Sequence, residues 1–165
     1  TATALYKLTS LSMQTDKKPL TDDGMVSCVS TDAMGTVVNF SKEFVDINSL
    51  AITPAGSTPI TGVYNFQDAV ITGTYSIVSG VGTINATGHD LVVGQKVRLN
   101  FTSGTGPSGV YAVSSVIDPN NYTVAIATAD TSGNVSTYPQ GFRVYLFNSA
   151  GARVSGTASW SAGGY

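Results

Sequence analysis

The residues able to do chemistry are few, and their spacing is unhelpful to catalysis. His89 is the only histidine and Cys28 the only cysteine. A Ser-His-Asp or Cys-His site would have to use His89. That residue lies in Gly88-His89-Asp90-Leu91, a turn before a strand, and no triad partner is implied there. One histidine and one cysteine do not make the usual four-ligand zinc set, and a single cysteine excludes an internal disulfide. Cys28 sits in Met25-Val26-Ser27-Cys28-Val29 and reads as a buried small hydrophobe. Asp16 and Asp22-Asp23-Gly24 lack the spacing of a calcium loop, so the latter reads as a solvated turn. Glu43, the only glutamate, and Asp46 read as surface charge rather than the spaced carboxylates of a glycosidase. Gly104-Thr105-Gly106 has no following Lys-Ser/Thr, so it fails as a phosphate loop. The expectation is a chain with no catalytic residue, no metal and no cofactor.

The aromatic residues point elsewhere. Tyr64, Phe66, Tyr111, Tyr122, Tyr138, Tyr145 and Trp160 could stack on sugars or touch a protein receptor, although such residues more often alternate into a β core. Trp160 has a strand position and reads as core or subunit interface. Tyr122 and Tyr138 flank loops and are the better candidates for exposed contact, because tyrosine gives area and a hydrogen bond at low entropic cost.

These residues must be positioned by strands. No stretch of 11 or more residues keeps a 3.6 period, and the chain reads as all-β. Candidate strands are 5–11, 25–30, 36–40, 49–53, 62–66, 71–77, 83–86, 96–101, 110–117 and 122–128. Asp118-Pro119-Asn120-Asn121 is a turn that closes a hairpin, with proline presetting φ at its second position. Phe142, Val144 and Leu146 alternate with polar or aromatic residues; Asn148-Ser149-Ala150-Gly151 supplies a turn, and a second alternating run reaches Trp160. Together these predict a C-terminal hairpin.

Charged residues are only 11% of the 165, against roughly 25% in ordinary soluble domains. A chain so poor in charge and rich in β-branched residues reads as a rigid β module within an assembly. Net charge is −2, and the eight lysines and arginines are scattered. Nucleic-acid binding by phosphate neutralisation is not expected. No apolar run approaches the ~20 residues of a membrane-spanning helix, so membrane insertion is not expected either. The start, Thr1-Ala2-Thr3-Ala4, has neither Met nor signal-peptide features and reads as the beginning of a C-terminal fragment.

Ala150 to Gly156 (Ala-Gly-Ala-Arg-Val-Ser-Gly) and Ser159-Trp160-Ser161-Ala162 resemble the ending of bacteriophage tail-tip and central tail-fibre proteins. That family often has Arg where this chain has Gly163. The NFSKEFVDINSLAITPAG stretch and Val63-Tyr64-Asn65-Phe66 also resemble the family, where they are followed soon by a segment like Phe142 to Leu146. Here 70–138 intervenes, denser in Gly, Thr and Val. Within it, Thr87 to Gly94, Val97 to Gly104, Val113 to Val116 and Tyr122-Thr123-Val124 are similar to a small β repeat of phage structural proteins, and that resemblance implies that His89 sits in a structural turn where its side chain caps backbone groups. The expected organisation is a discontinuous β-sandwich-like domain, 1–69 plus 139–165, with a small β-barrel-like domain, 70–138, inserted.

The resemblance implies a homotrimer on the distal tail of a virion, in contact with other tail proteins and a host cell-surface receptor, protein or polysaccharide. The inserted domain is the expected receptor-binding tip, through its loops 103–109 and 118–121. The residues named for contact are Thr105, Pro107, Ser108, Asn120, Asn121 and Tyr122. Three copies of a weak site gain avidity on a cell surface. The alternatives are a purely structural tail-tip subunit, a cell-envelope or capsule-degrading tip, and a carbohydrate-binding module of a secreted or envelope-degrading enzyme.

Overall fold

The computed structural model describes residues 18–56, 60–67 and 69–165. The run at 5–11 and Asp16 lie outside these. The described chain is all-β, with twelve strands. In order they are β1 Leu20–Cys28, β2 Thr36–Asn39, β3 Ile47–Pro54, β4 Ile60–Asn65, β5 Ile71–Val78, β6 Val81–Asn85, β7 Lys96–Phe101, β8 Gly109–Asp118, β9 Asn121–Ala125, β10 Thr131–Pro139, β11 Gly141–Asn148 and β12 Gly156–Gly164.

Two three-stranded antiparallel sheets, β1-β12-β3 and β2-β11-β4, face each other as a sandwich. Alternation fills the space between them. Val26, Cys28, Ala158, Trp160 and Ala162 point in from one sheet, and Val38, Phe142, Val144 and Leu146 from the other. Phe40 joins Phe44, Phe142 and Trp160 in an aromatic cluster, with Phe142 edge-on to Trp160 at 5.5 Å between ring centres. Trp160 is thus core.

The C-terminal hairpin does not form. β11 and β12 are the central strands of opposite sheets; toward β12, the end of β11 pairs only with the connecting segment before that strand, through the Phe147–Arg153 bridge and the bonds from Asn148 N–H to the Ala152 carbonyl and from Val154 N–H to the Leu146 carbonyl. The turn chemistry is present: Asn148 Oδ1 accepts from the N–H groups of Ala150 and Ala152, and Gly151 takes φ 75°. It turns the chain over the sandwich edge. Alternation specifies which face a strand buries and is silent about its neighbour, and here the buried faces meet across the core rather than lying side by side.

β1 also begins earlier than its apolar residues suggest, and Asp22-Asp23-Gly24 lies inside the strand. Asp22 faces inward and satisfies its carboxylate on Ser41 N–H (2.6 Å), Ser41 Oγ (2.7 Å) and Lys42 N–H (3.4 Å). Gly24 leaves room for the Trp160 ring, which a Cβ would approach to 3.1 Å. A tertiary partner for each therefore replaces the solvated turn.

β5 to β10 form a closed six-stranded barrel in the order β10-β5-β6-β9-β8-β7. Its own core holds Tyr75, Ile77, Ile84, Leu99, Tyr122, Val124, Ile126 and Val135 among others. Ser79 and Gly80, at φ 50° and 81°, make the two-residue turn between β5 and β6, the backbone geometry that matches strand twist. β10 was not evident in the sequence. It is largely Ser, Thr, Gly and Asn, with Val135 and Thr137 turned inward. Partners on both sides, β5 and β7, hold it.

The barrel strands alternate in direction, which sorts its loops. Gln140 follows β10 and bonds to the sandwich at Phe40 and Phe44, so the ends near Ile71, Lys96 and Pro139 are proximal to the sandwich. The loops 79–80, 102–108 and 126–130 are distal. The turn after β8 is proximal, about 30 Å away along that ten-residue strand.

Candidate functional site

The six residues expected at a receptor surface do not come together. Thr105, Pro107 and Ser108 are exposed in the distal loop 102–108. That loop is held by named bonds: Thr105 N–H to Thr131 Oγ1 (3.1 Å), Gly106 N–H to Tyr75 Oη (3.1 Å), and Phe101 N–H to Ser108 Oγ (2.9 Å). Tyr111 Oη donates to the Pro107 carbonyl at 2.5 Å. Gly104 takes φ 76°, and a Cβ there would lie 2.2 Å from Tyr75 Oη, so the loop packs closely on the barrel end.

Asn120 and Asn121 lie at the other, proximal end and are occupied within the chain. Asn120 Oδ1 accepts from Gly88 N–H (3.1 Å), and its carbonyl accepts from Ala86 N–H (2.8 Å). Asn121 Nδ2 donates to both Asp118 carboxylate oxygens, at 3.0 and 2.9 Å, and Asn121 Oδ1 accepts from Asn85 (2.9 Å). The Asn121 and Asn120 hydrogen bonds hold the Asp118 carboxyl below its ordinary range.

Tyr122 corrects the expectation of exposed contact. It is 0% exposed. Its position flanks a turn, but the strand register points the ring into the barrel, where the phenol meets Thr137 Oγ1 at 2.9 Å. Burial pushes its ionisation well above the usual tyrosine range, with the Thr137 bond opposing. Tyr138 is half-buried in β10 beneath the Arg98 guanidinium, 5.1 Å from ring centre.

The remaining chemistry-bearing residues have structural partners. His89 is buried; its Nδ1 accepts from Leu91 N–H (3.0 Å), which leaves Nε2–H to donate to the Asp118 carbonyl (3.0 Å). Both ring nitrogens are therefore engaged in capping backbone groups. Cys28 is buried, and burial raises its thiol pKa, with Arg153 opposing. Glu43 pairs with Arg98 of the barrel, and Asp46 accepts from Tyr165 Oη (2.7 Å). Among the described residues, no group of three or more His, Cys, Asp or Glu is placed to hold a metal ion.

Two features escaped sequence reasoning. The first is a set of amides and ion pairs between barrel and sandwich. Gln140 is buried and copies strand pairing with its side chain: Oε1 accepts from Phe44 N–H and Nε2 donates to the Phe44 carbonyl, both at 2.8 Å. Asn39 Nδ2 donates to the Gly94 carbonyl (2.9 Å) and its Oδ1 accepts from Lys96 N–H (2.7 Å). Arg143, 3% exposed, donates to the Asp90 carboxylate (2.6 Å), the Asp90 carbonyl (3.2 Å) and the Met34 carbonyl (3.1 Å). Asp90 sits at φ 45°, a left-handed conformation that Asp tolerates better than most residues.

The second is a groove beside this seam. One cleft of about 640 Å³ lies between Met34 and Val37 of the sandwich and Leu91, Val93 and Val116 of the barrel. A second, about 360 Å³, continues past His89 to Asp118 and Pro119, sharing Met34, Leu91 and Val116. The signal for it was divided among three distant segments, each an ordinary apolar residue in its own context.

No family model matches this chain, and no curated protein matches it at a significant level.

Proposed function

We propose that this chain is a non-catalytic recognition module, the C-terminal part of a bacteriophage tail-fibre or tail-tip protein. It binds a host cell-surface receptor, protein or polysaccharide, from the distal tail of the virion. In this reading the protein is a homotrimer, the sandwich belongs to the fibre and the barrel is an inserted tip. The resemblance of the Ala150 to Gly156 and Ser159 to Ala162 segments motivates the assignment to phage tails.

The observation that carries the recognition role is the distal loop. Thr105, Pro107 and Ser108 are solvent-facing, while the loop backbone is tied to Tyr75, Thr131 and Ser108. An exposed loop on a rigid frame presents side chains without a large ordering cost on binding. The proximal turn with Asn120 and Asn121 supports that frame instead.

The test is binding of the fluorescently labelled full chain to a panel of bacterial strains, with Thr105→Asp and Pro107→Asp variants. Binding to some strains, reduced at least tenfold in both variants at unchanged circular dichroism, is the expected result. Binding to none, or equal binding by the variants, overturns it. Light scattering tests the assembly separately, with three times 17.0 kDa expected.

A second reading, contact with a neighbouring tail protein, is favoured by Val78 and Val81. They pair across the distal turn and are 56% and 50% exposed, an apolar tip suited to a protein surface. Val78→Asp together with Val81→Asp would then block assembly into tails while leaving cell binding intact.

A further inference from the structure

The groove between sandwich and barrel has a chemistry of its own. Its floor is apolar: Met34, Val93 and Val116 are 54%, 60% and 39% exposed although each is a large hydrophobe. Its rim is acidic. Asp32 lines one cleft, and Asp90 and Asp118 line the other; among the described residues no lysine or arginine lines either. Arg143 neutralises Asp90 from below and Arg153 Nη2 donates to the Asp32 carbonyl at 3.0 Å, so three carboxylates meet two guanidinium groups and Asp118 leaves the rim net negative.

The groove also runs along an open strand edge. β7 pairs with β8 only as far as Ala112. Gly94 and Gln95 extend the pairing one residue, to Val113, and the chain then turns back between Gln95 and Val92. From Ser114 to Ile117, β8 has β9 on one side, with irregular register between Val113 and Ser115 and between Val116 and Asp118, and among the described residues no strand on the other; the Asp118 carbonyl is taken by His89 Nε2. Val116 projects from this stretch into both clefts.

We propose that the groove docks an extended segment of a partner protein that alternates apolar side chains with lysine or arginine. The open β8 edge offers main-chain hydrogen bonds to a polypeptide. The apolar floor takes alternate side chains, and the acidic rim takes the cations that lie between them. A neutral glycan matches neither the negative rim nor the valine-rich floor. The groove is at the proximal end of the barrel, so the proposal stands apart from the distal loop and does not rest on the receptor reading.

The experiment is fluorescence anisotropy of the full chain with a capped, fluorescein-labelled seven-residue peptide of alternating valine and lysine, beside a matched valine–glutamate peptide. The expected result is binding of the lysine peptide at least tenfold tighter than the glutamate peptide. Val116→Lys and Val93→Lys should each weaken it at least tenfold. Thr157→Lys, on the outer face of the sandwich, adds the same charge and should leave it unchanged. Val93 is the more exposed of the two groove sites, so its variant remains informative if Val116→Lys does not fold. Equal binding of the two peptides, no binding, or equal losses in all three lysine variants overturns the proposal. So does an oligomer that Val93→Lys dissociates, which would give the groove to a second copy. Binding of lipopolysaccharide micelles that is lost in Val93→Lys, without peptide binding, would give it to a glycan and overturn it as well.

Discussion

Removing one oxygen from the barrel core tests the reasoning most directly. Tyr122 and Thr137 are both 0% exposed, and their hydroxyls lie 2.9 Å apart. Tyr122→Phe keeps the ring and its edge contact with His89, 5.1 Å between centres. It leaves the Thr137 hydroxyl buried without its partner, which costs about 1–3 kcal/mol. Thr137→Val preserves shape and strands the phenol at a similar cost of about 1–3 kcal/mol. The double variant replaces both polar groups by apolar ones and should cost no more than about 1 kcal/mol. If each single change costs about 2 kcal/mol, the coupling between them is about −3 kcal/mol. In thermal melts, each single variant should lose roughly 4–8 °C and the double only ~2–4 °C. The assay is urea and thermal unfolding followed by far-UV circular dichroism, because Trp160 reports the other core. Additive losses, or single variants as stable as the parent, refute the buried pair. A receptor-facing Tyr122 predicts the opposite pattern: Tyr122→Phe would leave stability unchanged and weaken cell binding.

Three further outcomes follow from the same geometry. An unfolded tyrosine ionises near pH 10 while buried Tyr122 keeps its proton; above that pH the unfolded state binds fewer protons, so stability falls as pH rises, by up to ~1.4 kcal/mol per unit. Tyr122→Phe should make that slope shallower, and urea midpoints between pH 10 and 12 that decline equally in both proteins would refute it. Gln140→Leu strips both partners from the buried Phe44 backbone, so it should cost about 2–5 kcal/mol, and hydrogen exchange at Phe44 should accelerate; unchanged protection there would exclude the bridge. At Gly73 a Cβ would come within 1.8 Å of the Asn85 carbonyl oxygen. Gly73→Ala should therefore force β5 from β6 at a cost of about 3 kcal/mol or more and lower the melting temperature by at least about 6–12 °C, and a well-folded variant with the parent's melting temperature would contradict that close approach.

Much of the local structure was legible in the sequence. Alternation located most strands, and at Lys96–Phe101 the expected bounds and the observed strand coincide. Asp118-Pro119-Asn120-Asn121 makes its hairpin because proline and asparagine act on neighbouring backbone. The all-β character follows from the absence of any sustained helical period together with many β-branched residues.

Local signals end where partners are chosen. Phe142, Val144 and Leu146 announce a buried face, but only the sandwich decides that they pack against Ala158, Trp160 and Ala162 from the opposite sheet. Asp22-Asp23-Gly24 reads as a turn until Ser41 and the Trp160 ring supply partners from distant segments. Tyr122 reads as a loop-flanking contact until the register of β9 against β6 and β8 directs it inward. The groove depends on three segments, around Met34, Leu91 and Val116, that are far apart in the chain. The sequence alone therefore determined which stretches extend, where most of them turn and which side chains seek burial, because those preferences act over a few residues. Strand neighbours, the inward Tyr122, the Arg143 clamp and the acidic groove were decided by tertiary structure, because each is a meeting of side chains that only the closed barrel and the paired sheets bring within reach.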